Sequence, residues 1–238
     1  MKNAQDIKSR ILFEDNHMII VNKLPSEIVQ GDKTGDIPIS EAVKDYIAKK
    51  YNKPGRVFLG VVHRIDRPVS GIVVFARTSK SLSRLNSMLQ NRELKKKYWA
   101  VVKNPPPAER DTLVHFLRKN EKQNKSYLVP EGSQNSKRAE LIYQLAAQSK
   151  DYHLVEVELI TGRHHQVRAQ LASIGCPIKG DLKYGFDRSN PDGSIHLHAR
   201  QVEFIHPVSN KEINVIAPVP ADNLWEVFEK QQENTARK

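Results

Sequence analysis

Apolar residues along the chain recur at two different periods, and the switches between them outline its elements. Two short apolar stretches, residues 11–13 and 18–21, flank the polar Glu14-Asp15-Asn16, which is the pattern of a β-hairpin. Ala42, Val43, Tyr46 and Ile47 then fall at three- and four-residue spacing, predicting a helix capped by Ser40 with Ile39 as its hydrophobic staple. Residues 57–62 and 72–76 are β-branched apolar runs and read as buried strands, with Pro68 and Gly71 marking a turn between them. Leu82, Leu85, Met88 and Leu89 predict a second helix starting near Ser79, followed by a strand over residues 95–102.

The triple proline at 105–107 breaks structure, and the polar, basic stretch 118–126 has no apolar period, which predicts an exposed and mobile loop. Residues 139–145 and 152–160 flank QSKD as a hairpin whose alternation places Tyr152, Leu154 and Glu156 on one face. Thr161 as cap and Gly175 as terminator bracket a helix with Val167, Leu171 and Ile174 on one side, and Arg163 falls at its start. A turn-rich loop over 187–194, strands over 197–205 and 213–217 and a short helix from Ala221 complete the chain. About eight or more strands against four helices, joined by short links, predict an α+β fold around a mixed, largely antiparallel sheet with flanking helices. With no internal repeat, low-complexity tract or linker, the expectation is a single domain over residues 1–238 with its core at about 10–220.

Charge sharpens this picture. Lys and Arg number 38 against 27 Asp and Glu, a formal net charge of +11. A surplus of this size suits a polyanion, because cations that release condensed counterions from phosphates gain sequence-independent affinity. The longest apolar runs are far shorter than the about 20 residues needed to span a bilayer, so no membrane contact is expected. The polar N-terminus MKNAQDIKSR lacks a secretory signal, and a single cysteine, Cys176, excludes an intrachain disulfide framework. Cytoplasmic residence is therefore expected, with Cys176 in a structural role.

The stretch VVHRIDRPVSGIVVFA, residues 61–76, places one acid, Asp66, among His63, Arg64 and Arg67. Opposite charges within about 4 to 6 Å hold a carboxyl ionised, and an ionised carboxylate can act as a nucleophile or simply as part of an ion network. HRIDRPVSG resembles the HRLDxxTSG signature of the RluA-type pseudouridine synthases, which isomerise uridine to pseudouridine in RNA. In the same order, KKKYWAVV (95–102) resembles the family's KxYxAxV segment, and TGRHHQVRAQLASIGCPIKGDLKYG (161–185) resembles its TGRxHQIRxH…GxPIxGDxxYG. The opening EDNHMIIVNKLPS resembles the family's first motif.

The resemblance implies that Asp66 is the catalytic residue, that Arg163 pairs with it, that Tyr98 lies against the target uracil, and that Arg64 enters the space the flipped base vacates. It implies no cofactor or metal and no obligatory protein partner, with RNA, ribosomal or transfer, as substrate. It also implies that the small accessory N-terminal RNA-binding domain of many relatives is absent, so that RNA affinity comes from Lys95, Lys96 and Lys97, the 118–125 loop, and Lys137 with Arg138. Val69, Gln170 and Glu27 depart from the family pattern, none at a position with an expected chemical role. Two rival readings are a catalytically silent RNA-binding protein of the same fold, and a metal-dependent hydrolase built on His196 and His198 with His164, His165 and Asp181.

Overall fold

The computed structural model describes residues 6–32 and 34–236. In chain order the elements are β1 (Ile11–Glu14), β2 (Met18–Lys23), α1 (Ile39–Lys50), β3 (Gly60–Val61), β4 (Ser70–Ala76), α2 (Ser79–Gln90), β5 (Lys95–Val102), β6 (Arg110–Asn120) and β7 (Lys125–Val129). There follow β8 (Lys137–Gln148), β9 (His153–Leu159), α3 (Gln166–Ser173), β10 (Leu197–Ile205), β11 (Glu212–Ile216) and α4 (Asn223–Ala236). The fold is α+β, and the described residues divide into two compact units.

The first unit comprises the chain up to Leu94 together with Gln201–Pro218. Its strands β1, β2 and β4 lie side by side, β3 adds to β4, and the 201–205 part of β10 pairs with β11, every pair antiparallel. All of β4 is buried, as its unbroken apolar run requires, and Val43 and Ile47 of α1 and Leu85 and Met88 of α2 supply buried helix faces. The β1–β2 turn is closed by Asp15, whose carboxylate accepts from the backbone of His17 at 2.7 Å and Met18 at 2.8 Å. Thr78 caps α2 through Ser81 N at 3.1 Å. α1 begins two residues earlier than its pattern implies: its N-cap is Pro38, with no side-chain cap, and Ser40 is buried inside the first turn. The strand expected at 57–62 shrinks to the two residues of β3.

The second unit comprises Lys95–Arg200 and the chain from Val219 onward. Its sheet runs in the order β5, β9, β8, β6, β7, again antiparallel throughout. Trp99, Val101 and Leu154 pack with Trp225 and Phe228 of α4, which at 14 residues is longer than the short helix its sequence suggested. The basic stretch 118–126 is not a loop but most of a hairpin, with Phe116 opposite Val129 and Lys119 opposite Ser126, leaving only 121–124 as the turn. Its period is hidden because residues 118–126 are all polar or charged, and the buried anchor of the pair, Leu117, lies just before them. Cys176 is buried in the turn after α3, its Sγ 3.5 Å from Asn104 O.

Candidate active site

In the first unit, residues 62–69 carry Arg64 and Asp66 between β3 and β4. Val62, Ile65 and Val69 are buried and pin this segment, which leaves Arg64 exposed and Asp66 half-buried. Val69 N donates to Asp66 O at 3.0 Å and closes a tight turn immediately after the carboxylate. His63 accepts from Val74 N at 3.2 Å, fastening the start of the segment to β4. Arg67 does not serve as a bare cation, because its guanidinium meets Asp36 at 2.6 Å.

Beneath this turn lies Lys23, the last residue of β2 and fully buried. Its ammonium donates to the carbonyls of Leu24 (2.9 Å), Glu27 (3.0 Å) and Arg67 (3.2 Å), and Arg67 O accepts a further bond from Ser26 N at 2.8 Å. Three carbonyls match the three donors of an ammonium. Burial pulls the Lys23 pKa down to about 7, opposed first by the charge of Glu27 and then by that of Asp66. Sequence reasoning missed Lys23, because a lysine at a strand end carries no period and its partners are main-chain oxygens.

Two of the departures from the family pattern find their explanation in packing. Glu27 accepts from Arg10 at 2.7 Å and from Leu24 N at 2.9 Å, which holds the same turn that Lys23 holds. Gln170, fully buried in the second unit, donates to Leu113 O at 3.0 Å.

In the second unit, Tyr98 is buried on β5 opposite Val157 of β9. Arg163 occupies the turn that leads from β9 into α3. That turn is wired by side chains: Thr161 Oγ1 accepts from Glu140 N and donates to Gln166 Oε1, both at 2.8 Å. Gln166 Oε1 also accepts from Arg163 N at 2.9 Å, while Gln166 Nε2 donates to Glu140 O at 3.0 Å. Thr161 is thus a turn lock and not the helix cap; the N-cap is His165, in the left-handed region at φ 53°. Gly175, at φ +78°, ends the helix as its pattern predicts. Arg163 stays exposed, its Nε held by Arg138 O at 2.9 Å, and no carboxylate pairs with it among the described residues of its own unit.

Most of the remaining third motif is scaffold. Arg168 and Asp181 form a buried bidentate pair at 2.7 and 2.8 Å, with the guanidinium over the Tyr184 ring at 5.1 Å. Tyr184 OH accepts from Ser126 N and lies 3.1 Å from Ser126 O and 3.0 Å from His165 Nδ1, which ties the histidine ring to β7. Burial, reinforced by Arg168 and then His164, pushes the His165 pKa down to about 2. A Cβ on Gly180 would lie 2.8 Å from Ser194 O, so only glycine fits there.

The residues of the hydrolase reading are otherwise employed. His196 bonds to the Asn190 carboxamide (2.9 Å) and Asp222 (3.2 Å) and stacks on Trp225, His164 stacks on His165, and Asp181 holds Arg168. No three His, Cys, Asp or Glu side chains among the described residues form a cluster able to hold a metal ion. The basic candidates are also partly engaged: Lys97 with Glu156, Lys119 with Glu121 and Arg138 with Glu140.

Comparison with known proteins decides the family. The pattern of the RNA pseudouridylate synthase family matches residues 17–173, a stretch that contains both the Asp66 turn and the Arg163 turn. The chain belongs to the RluA-type pseudouridine synthases. It is 32% identical over 229 residues to the ribosomal large subunit pseudouridine synthase D of Zymomonas mobilis, covering 92% of this chain and 71% of that one. It is 30% identical over 227 residues to the ribosomal large subunit pseudouridine synthase C of Vibrio cholerae, covering 93% and 69%. Among solved structures, human RNA pseudouridylate synthase domain containing 4 superposes with a TM-score of 0.76 over 95% of this chain and 94% of that one, at 22% identity, which supports the fold. As an RNA pseudouridine synthase the protein is an isomerase of uridines in RNA, and no helix among its described residues is long and apolar enough to cross a membrane.

Proposed function

We propose that this pseudouridine synthase isomerises uridines of structured large-subunit ribosomal RNA in the cytoplasm, with Asp66 as nucleophile. The observation that carries the assignment is the Asp66 turn: a half-buried carboxylate on a segment anchored at both ends, with an exposed arginine two residues before it. Two of its relatives are ribosomal large subunit enzymes by name, which supports that substrate over transfer RNA.

Isomerisation breaks the N1–C1′ bond, forms a C5–C1′ bond, removes the proton from C5 and leaves N1 protonated. A carboxylate achieves this by attack at C1′, releasing uracilate, or by addition at C6 of the ring; each route divides one hard step into easier ones. The base must first leave its stack at a cost of a few kcal/mol. Arg64, exposed beside the nucleophile, is suited to fill the vacated space, since guanidinium planes stack on bases. Tyr98 and Arg163 keep the parts the family resemblance gives them, the ring against the uracil and the cation that pairs with the nucleophile's charge.

The test is conversion of uridine in unmodified transcripts of large-subunit ribosomal RNA and of transfer RNA, by wild type and Asp66→Asn, without added metal. Conversion of the ribosomal transcript by wild type alone supports the proposal. Conversion by both proteins removes Asp66 from the chemistry, and conversion of transfer RNA alone corrects the substrate.

A further inference from the structure

Lys96 sits between two exposed or paired neighbours but has the opposite surroundings. Lys97 bonds to Glu156 at 2.9 Å, whereas Lys96 is half-buried and no ion pair or hydrogen bond engages its ammonium among the described residues. Burial alone acts on its titration, pulling the pKa down with no acid to oppose it. A desolvated, unpaired ammonium is costly, and a fold retains one where an anion from outside completes it.

Its position says which anion. Lys96 and Tyr98 lie two apart on β5, so their side chains leave the same face at a spacing of about 6.6 Å. The ammonium lies 3.4 Å from where a Cβ on Gly162 would stand, beside the residue that precedes Arg163. Gly162 is exposed, so the approach to the ammonium along the Arg163 turn is not covered by a side chain there. A nucleotide whose uracil rests on Tyr98 extends its sugar and phosphate away from the ring by a comparable length. The phosphodiester is the fully charged group it brings.

We propose that Lys96 binds a non-bridging phosphate oxygen of the RNA next to the target uridine, with Gly162 keeping the approach open. This rests on the reading that Tyr98 faces the uracil. It makes Lys96 a substrate-binding residue, distinct from the surface lysines that contribute only to the general field.

The experiment measures equilibrium binding of a large-subunit ribosomal RNA transcript against salt concentration, for wild type, Lys96→Gln and Lys96→Arg, with conversion at saturating RNA in parallel. Lys96→Gln is expected to weaken binding roughly 5- to 10-fold near 0.1 M salt and to flatten the slope of log affinity against log salt by about 0.7 to 0.9, the value of one phosphate contact. Lys96→Arg should restore the slope. Conversion at saturation should change less than about twofold, and the melting midpoint of Lys96→Gln should equal or exceed that of wild type, because an uncompensated buried charge has gone. An unchanged slope, or a lowered midpoint or failure to fold that reveals a structural lysine, would overturn the proposal. So would lost conversion with intact binding, which would place the charge on the uracil instead. Binding does not depend on turnover, so a wild type that converts no RNA refutes the substrate reading while the slope still decides the role of Lys96.

Discussion

Lys23 and Lys96 are both ammonium groups withdrawn from water, one beneath the Asp66 turn and the other beside the Arg163 turn, and the chain treats them in opposite ways. Lys23 is fully buried and meets three carbonyls, one of them Arg67 O directly after Asp66. Lys96 is half-buried and meets none among the described residues. A buried cation with all its donors used is part of the scaffold; one with its donors unused is available to a ligand. The two turns, by contrast, are held alike, by side chains on main-chain atoms: Lys23 on three carbonyls and His63 on Val74 N at the Asp66 turn, and Thr161 and Gln166 on the N–H and C=O of Glu140 and the N–H of Arg163 at the other.

The largest test of this division is Asp66→Asn, which should reduce turnover by roughly 10⁴-fold or more while leaving RNA affinity and melting behaviour near wild type. A comparable loss of stability would mean that the carboxylate belongs to the scaffold after all. Next in size is Asp181→Asn, which strands a buried guanidinium and should lower unfolding stability by about 3 to 5 kcal/mol, measured by denaturant titration. Lys23→Met leaves three carbonyls short of a donor and should cost about 2 to 3 kcal/mol, with a fall in conversion as the Asp66 turn loosens. If Lys23→Met were as stable as wild type, the contrast with Lys96 would collapse.

A smaller effect concerns acid. His165 binds its proton far less readily folded, at a pKa of about 2, than in the unfolded chain, at its ordinary 6.5. Between those values the unfolded state holds more protons, so stability rises with pH and is lost as pH falls below about 6.5, by at most about 1.4 kcal/mol per pH unit from this group. His165→Asn, which tolerates the left-handed backbone, should show a shallower decline between pH 6 and 4 than wild type. An equal decline in both proteins would show that His165 is not kept neutral by its surroundings. The slope change at Lys96 is the smallest effect and the one that completes the comparison.

Much of this protein was legible along the chain. The β1–β2 hairpin, β4, α2 and β5 follow from local period and turn chemistry, and Arg64, Asp66, Tyr98 and Arg163 stand out because their motifs are contiguous. The 118–126 segment carries no apolar residue, so its strands show no period in sequence, and only pairing reveals them. Thr161 has the residue type of a cap, but its partner Glu140 is 21 residues away and invisible to local pattern.

The sequence by itself determined the chemistry and the elements that present it, because covalent neighbours share a period and a motif. Only the tertiary structure decided which charges are spent on the fold. Lys23, Lys96 and Lys97 are the same residue in sequence, and they differ by what each ammonium bonds to among the described residues: three carbonyls, no hydrogen-bond acceptor, or Glu156. Hydrogen bonding and desolvation depend on atoms brought together by folding, and those atoms are distant along the chain.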